Sequence, residues 1–147
     1  MAGRLSSFAD DQGVRVRVEG ASACIAGSET LAEEMLYNLI ENGIRYNHEG
    51  GLVTMKVGSE CVEGGLANAA YQTVVRVSDT GPGIPAELHD KVFERFFRVD
   101  KSRSKETGGT GLGLAIVKHA VMYHGGVIEV ESAEGQGTTF VLRFPSA

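Results

Sequence analysis

The chain has 147 residues, 42% hydrophobic and 22% charged, and a formal net charge of −5 at pH 7. That length allows one domain with a proper core, and the acidic balance argues against general nucleic-acid binding without excluding a local basic patch. Cys24, Cys61 and four scattered histidines show neither a disulfide framework nor metal-ligand spacing, and with no membrane-length apolar run or signal peptide the segment reads as intracellular.

Residues 1–13 are small and polar, with Gly13 as a break. They read as a loose lead-in to a domain over residues 14–147. Val14 to Glu19 alternates apolar and charged, the pattern of a half-buried strand. Ala21 to Ala26 reads as a second short strand, stopped by Gly27 and Ser28. A helix is expected from about Thr30 to Tyr46, with Thr30 and Glu33 as a capping box. Ala32, Leu36, Leu39, Ile40 and Gly43 share one face of it. Glu34, Asn38, Asn42 and Arg45 lie opposite. A solvated face is the plain reading. Yet Asn favours caps and turns over helix interiors. Two Asn four apart beside an Arg fit a purpose: amide oxygens can ligate a hard cation, and a guanidinium can hold phosphate.

Asn47 to Gly51 is a turn. Leu52–Val57 and Gln72–Val77 read as an antiparallel pair, joined through a loose end that contains Cys61 and Gly64-Gly65. The second strand runs into Ser78-Asp79-Thr80-Gly81-Pro82-Gly83-Ile84-Pro85. Aspartic-protease chemistry needs two Asp-Thr-Gly carboxylates, and the chain has one. A strand-end carboxylate can instead accept a hydrogen bond from an exocyclic amino group such as adenine's, or simply close an Asx turn.

Val92-Phe93-Phe96-Phe97 fits a short amphipathic helix or a core patch. Arg98 to Thr107 loses periodicity and concentrates Arg98, Lys101, Arg103 and Lys105. That is a solvated loop or, beside an anion site, a lid over phosphates that is mobile without nucleotide. Gly108-Gly109-Thr110-Gly111-Leu112-Gly113-Leu114 then runs into a helix from Leu112 to His124, closed by Gly125-Gly126. Glycines at a helix start bring amides together at the positive end of its dipole. The Walker pattern is excluded because no Gly-Lys pair occurs. The dinucleotide fingerprint is excluded because its third glycine is missing. A flexible loop with a glycine cap remains the plain alternative. The helix is apolar on more than one face, with His119 as a core histidine. Val127–Glu131 and Thr138–Phe144 close the chain as a hairpin turned at Gly135-Gln136-Gly137.

Together these stretches resemble the catalytic, ATP-binding domain of sensor histidine kinases, within the group that also contains gyrase, the Hsp90 chaperones and MutL. Asn38 to Tyr46 is similar to that family's N box, Asp79 to Ile84 to its first glycine box, Phe93 to Arg98 to its F box, and Gly109 to Leu114 to its second glycine box. Gly135-x-Gly137-Thr138 is similar to its closing motif. The order and spacing match over roughly residues 14–145.

The resemblance implies a Bergerat-type fold: an α/β (α+β) two-layer sandwich with a mixed, largely antiparallel five-stranded sheet and helices on one face. It implies ATP and Mg²⁺. Asp79 would take the adenine amino group, with Gly81, Gly83, Ile84 and Thr138 lining that pocket. Asn42 would ligate Mg²⁺ with Asn38 in the same site. Arg45 and Tyr46 would lie along the phosphates, Gly109, Thr110, Gly111, Leu112, Gly113 and Leu114 would cradle them, Phe96 would be among the nucleotide-binding residues, and Arg98 would reach the γ-phosphate. Asn38, Asn42 and Arg98 would be the catalytic set. The family commonly has Ala at Gly43 and Lys at Arg45; the first change costs helix stability, about 1 kcal/mol, and the second keeps charge but changes geometry.

The implied reaction passes the ATP γ-phosphate to a histidine on separate dimerisation helices, and a response regulator acts downstream. The acceptor hairpin is not found ahead of Val14, so the chain reads as an excised catalytic domain, cytoplasmic, without direct membrane or nucleic-acid contact. Its parent could be anchored in the cell membrane. Two rivals stand beside it. One is an ATP hydrolase of the gyrase and Hsp90 type, which needs a Glu where this chain has Asn38, with Glu41 as a weaker substitute. The other is a non-catalytic nucleotide-binding regulatory module.

Overall fold

Alternating strand patterns and one long 3.6-period segment set the frame of the computed structural model, which describes residues 2–20, 25–61, 71–97 and 111–145. In chain order these hold α1 (Ala2–Gln12), β1 (Arg15–Gly20), α2 (Glu29–Arg45), β2 (Leu52–Cys61), β3 (Tyr71–Asp79), α3 (Gly113–Tyr123), β4 (Val127–Ser132) and β5 (Thr138–Pro145). Single 3₁₀ turns occur at Ala86–Leu88 and Lys91–Phe93. One sheet takes all five strands in the order β1-β2-β3-β5-β4. Only β1 and β2 run parallel.

The period of two along each strand divides the sheet into two faces. Val53, Val75, Val77, Phe140, Leu142 and Phe144 point to the helices and are buried with Met35, Leu39, Ile40 and Ile44 of α2 and Val117, Ala120 and Val121 of α3. The opposite face carries cross-strand ion pairs, Arg76 to Glu60 at 2.7 Å and Arg143 to Glu129 at 2.8 Å. The expected open α/β sandwich is therefore present, with its core between one sheet face and the helices.

Several local expectations are corrected. Residues 1–13 are not a loose lead-in: Ala2–Gln12 is helical, and Leu5 and Ala9 are buried against the core. Leu5, Phe8 and Ala9 recur at helical spacing and pack on the core, while Ser6 and Ser7 stay exposed. The cap of α2 is Ser28, whose hydroxyl accepts from the Leu31 amide, in place of a Thr30–Glu33 box. Of the expected second strand, only Ile25 and Ala26 are described, and neither is in a strand. The segment around Val92 to Phe97 is a 3₁₀ turn and a bend. Val92 is buried, but Phe96 is 68% exposed.

The helix after the glycine stretch is buried on one face only, with Met122 and Tyr123 exposed. His119 is exposed as well. The buried histidine is His124. Its Nδ1 donates to the Ala120 carbonyl at 2.6 Å, and its Nε2 accepts from the Ser28 amide at 3.1 Å. It thus joins the end of α3 to the start of α2. Gly125 and Gly126 close α3 by donating to Met122 and Val121, as the glycine stop predicts.

Candidate functional site

Asp79 ends β3 between two strands, opposite Val53 of β2 and Thr138 of β5. Its Oδ1 accepts from the Gly81 amide at 2.8 Å. The side chain is half-buried, and burial pushes its carboxyl up to about 6, against the opposing pull of amide hydrogen bonds from Gly81 and Thr138. An ionised carboxylate has about four lone-pair sites, so beside these two amides it can accept a further donor.

Glycines clear the space around it. A Cβ on Gly43 would lie 3.1 Å from Val53 and 3.5 Å from Asp79, so this residue lets α2 approach the carboxylate closely. A Cβ on Gly81 would lie 3.0 Å from the Asp79 Oδ1 and 3.1 Å from the Tyr46 carbonyl. Gly83 has φ +79°, and a Cβ there would strike the Ala133 carbonyl at 2.0 Å. No other residue fits that turn. Ile84 beside it is buried, and its amide donates to the Ser132 hydroxyl at 2.7 Å.

Ser132 gave no signal in the sequence, yet it organises this end of the site. Its hydroxyl donates to the Gly137 carbonyl at 2.8 Å and sits 2.9 Å from the Thr138 hydroxyl. The first glycine loop is thereby fastened to β5, and Thr138 is buried beneath it. A second unforeseen fastening lies at the end of α2. The Thr80 hydroxyl accepts from the Leu52 amide at 2.9 Å and donates to the Asn47 Oδ1 at 3.1 Å, while His48 Nε2 lies 3.1 Å from the Thr80 carbonyl. These are loop contacts across some thirty positions, which no local pattern announces.

The polar face of α2 leads from Asp79 to the start of α3. The Asn38 amide nitrogen donates to the Glu34 carbonyl at 2.8 Å, and its Oδ1 lies toward Gly113, where a Cβ would come within 3.2 Å. Asn42 is half-buried one turn further along. Leu112 stands at the N-cap of α3 and has no side-chain oxygen to cap it, and the positive end of that helix dipole lies beside Asn38. Leu114 packs on the core. Gly111, at φ +77°, lies against Phe96, whose amide donates to its carbonyl at 2.8 Å. Arg45 donates to Glu41 at 2.6 Å, and Tyr46 at the C-cap is partly exposed.

Asp79, Gly81, Gly83, Ile84 and Thr138 thus share one end of the site, and Asn38 meets Gly113 at the other. Arg98, Gly109 and Thr110 lie outside the described residues, as do Gly108 and the basic segment expected as a lid. Among the described residues no group of three or more His, Cys, Asp or Glu could hold a metal. Among them, too, no helix is long and apolar enough to cross a membrane.

The chain is similar to known proteins along most of its length. The chain is 41% identical over 139 residues to the sensor-like histidine kinase SenX3 of Mycobacterium tuberculosis, covering 94% of this chain and 32% of SenX3. It is 45% identical over 112 residues to the sensor histidine kinase WalK of Bacillus subtilis, covering 76% of this chain and 17% of WalK. The chain therefore spans a third or less of the length of these relatives. Among solved structures it superposes on the mycobacterial sensor histidine kinase MprB with a TM-score of 0.79 at 28% identity, covering 99% of this chain and 92% of that one. It also superposes on full-length ShkA in complex with AMPPNP, with a TM-score of 0.76 at 29% identity, covering 99% of this chain and 28% of that one. A family model described as histidine kinase-, DNA gyrase B- and HSP90-like ATPase matches residues 27–147, and the chain belongs to that family.

Proposed function

We propose that this chain binds Mg·ATP and, within a sensor histidine kinase, presents the γ-phosphate to a histidine on separate dimerisation helices. The observation that carries the reading is Asp79: a half-buried carboxylate, raised to about 6, at a strand end walled by glycines. Desolvating such a group costs stability, and a ligand donor explains why the cost is kept.

In this reading the ionised Asp79 accepts from the adenine amino group. Gly81, Gly83, Ile84 and Thr138 shape the ring's pocket, and Ser132 holds that pocket's two sides together. Gly111, Leu112, Gly113 and Leu114 supply the start of α3 to the phosphate chain, with Gly109 and Thr110 before them. Arg45 and Tyr46 run alongside, Phe96 covers the site's edge, and Arg98 meets the γ-phosphate. Asn42 would hold Mg²⁺ with Asn38 beside it; the ion, when bound, neutralises charge that develops on the phosphates.

The chain's own part is positioning, because phosphoryl transfer asks little covalent chemistry of the protein. Asn38 has no basic oxygen to activate water. Glu41, the nearest carboxylate on α2, already accepts from Arg45 at 2.6 Å. Both disfavour the hydrolase reading and support transfer to an acceptor histidine, with a response regulator downstream. The test is calorimetry with Mg·ATP on wild type and Asp79→Asn. Strong loss of affinity in a folded variant is expected; unchanged affinity would overturn the adenine assignment.

A further inference from the structure

We propose that Phe8 is a positioning residue for Arg45, and that through it the docking of α1 is coupled to the hold on a nucleoside triphosphate. The proposal rests on the reading of Arg45 as a phosphate contact.

The geometry begins in α1. Leu5 and Ala9 are buried at 7% and 4% exposure, which fixes the helix against α2 and the core. Phe8, one position before Ala9, is half-buried. Its ring lies under the Arg45 guanidinium, whose central carbon is 5.0 Å from the ring centroid. That is within cation–π range. Glu41, one turn back on α2, takes Nη2 of the same guanidinium at 2.6 Å. Arg45 is thus gripped by a ring from one helix and a carboxylate from its own. The side chains of Arg45 and Glu41 are only 20% and 26% exposed, so solvent screens this cluster incompletely.

An arginine that is unrestrained before binding gives up rotamer freedom when it meets phosphate. A partner that restrains it beforehand removes part of that loss, so the protein binds the phosphates more tightly. Glu41 supplies charge but sits on the same helix and cannot report anything about α1. Phe8 can. If its ring holds Arg45 in place, undocking α1 releases the guanidinium and weakens the triphosphate. Linkage then requires the converse: a bound triphosphate stabilises docked α1.

The experiment titrates the 147-residue chain with Mg·ATP and, separately, with adenosine, which has no phosphate for Arg45. Phe8→Leu keeps apolar volume and removes the aromatic face. It should weaken Mg·ATP by about three- to tenfold, the range a half-buried cation–π contact supports, and leave adenosine unchanged. Phe8→Tyr should restore wild-type affinity. In an Arg45→Gln background, Phe8→Leu should cost nothing further. Hydrogen exchange in α1 should slow when Mg·ATP saturates the wild type and not when it saturates Phe8→Leu. Equal losses for ATP and adenosine, additive losses in the double variant, or tighter ATP binding by Phe8→Leu would each overturn the proposal. A wild type that binds ATP while Phe8→Leu binds it equally well would overturn it too and leave the nucleotide reading standing. A wild type that binds neither compound would overturn that reading and this proposal with it.

Discussion

The Phe96 amide donates to the Gly111 carbonyl at 2.8 Å, and both residues hold positive φ, +64° at Phe96 and +77° at Gly111. The contact is so close that a Cβ on Gly111 would lie 2.8 Å from the Phe96 Cα. A left-handed φ is a strained choice for a bulky residue, and here the ring is 68% exposed, so burial does not offset it. The pair yields opposite outcomes. Phe96→Gly should raise the stability of the free domain by about 1 kcal/mol while weakening nucleotide binding. Gly111→Ala should lower stability by about 1–3 kcal/mol. Urea denaturation of both variants checks this; a destabilised Phe96→Gly would show that the ring contributes more than its strain costs.

Asp79→Asn should stabilise the ligand-free domain near neutral pH. The carboxyl titrates at about 6 in the fold against 3.8 for the unperturbed group, so ionising it costs the folded state on the order of 1–3 kcal/mol. Asparagine keeps an oxygen for the Gly81 amide and carries no charge. The expected result is a higher melting temperature together with lost adenine nucleotide affinity. A lower melting temperature would mean that the charge is better satisfied than its burial implies.

The same raised value sets a pH dependence. The folded state holds this proton more tightly than the unfolded chain does. This group's contribution to stability is therefore most favourable below about pH 4 and declines as pH rises towards about 6. Binding should follow the other direction, because the ionised carboxylate is the better acceptor for an amino hydrogen. ADP affinity should fall as pH drops through about 6, and the wild type should lose more than Asp79→Asn, which has nothing to titrate there. Parallel curves for the two proteins would remove Asp79 as the cause.

Gly27→Ala should disturb the α2–α3 junction. A Cβ on Gly27 would stand 1.9 Å from the His124 ring, which already bridges the Ala120 carbonyl and the Ser28 amide. The ring cannot stay, so the Ser28 amide loses its partner. The expected cost is on the order of 1–3 kcal/mol, typical for a buried donor left unsatisfied. Equilibrium unfolding measures it, and a neutral result would show that the ring has room to shift.

The isolated 147-residue chain should bind Mg·ATP without labelling itself. Three of its histidines have their ring nitrogens near backbone carbonyls or amides: His48 at Glu49 and Thr80, His89 at Ile84, His124 at Ala120 and Ser28. His119 is exposed on α3, with no evident means of presenting its ring in line with a γ-phosphate. Proximity of that kind is worth roughly 7–11 kcal/mol. Incubation with labelled ATP should leave the chain unlabelled, and a separate acceptor hairpin should take the label. Acid-labile label on this chain alone would contradict the assignment.

Much of the fold was legible because its signals are local. The five strands each start within one residue of where the pattern placed them, and α2 differs from its expected bounds by one residue at each end. The misses have physical reasons. Residues 1–13 carry few large apolar side chains, and α1 is held by Leu5, Phe8 and Ala9, whose contacts need the rest of the core to matter. His119 looked buried because its neighbours are apolar; the helix turns it outward and places His124 inward. The site's glycines and amides were readable as a pattern. Ser132, Asn47 and Thr80 were not, because their partners are brought to them by strand pairing and turns. Gly43 looked like a weakness in the helix, whereas its missing methyl gives α2 its approach to Asp79.

The pairing of Asp79 with Thr138 also carries a consequence for synthesis. β5 lies between β3 and β4 in the sheet, although it follows both of them in the chain. While a ribosome is still making the segment before residue 138, Asp79 has neither Thr138 beside it nor the Ser132–Gly137 fastening at its loop. A nascent chain carrying every earlier motif would therefore lack a finished surround for Asp79, the pocket proposed for adenine. On the proposed reading, a nucleotide would be held only after the β4–β5 hairpin has inserted, and it could not serve as a scaffold for the folding of the earlier strands.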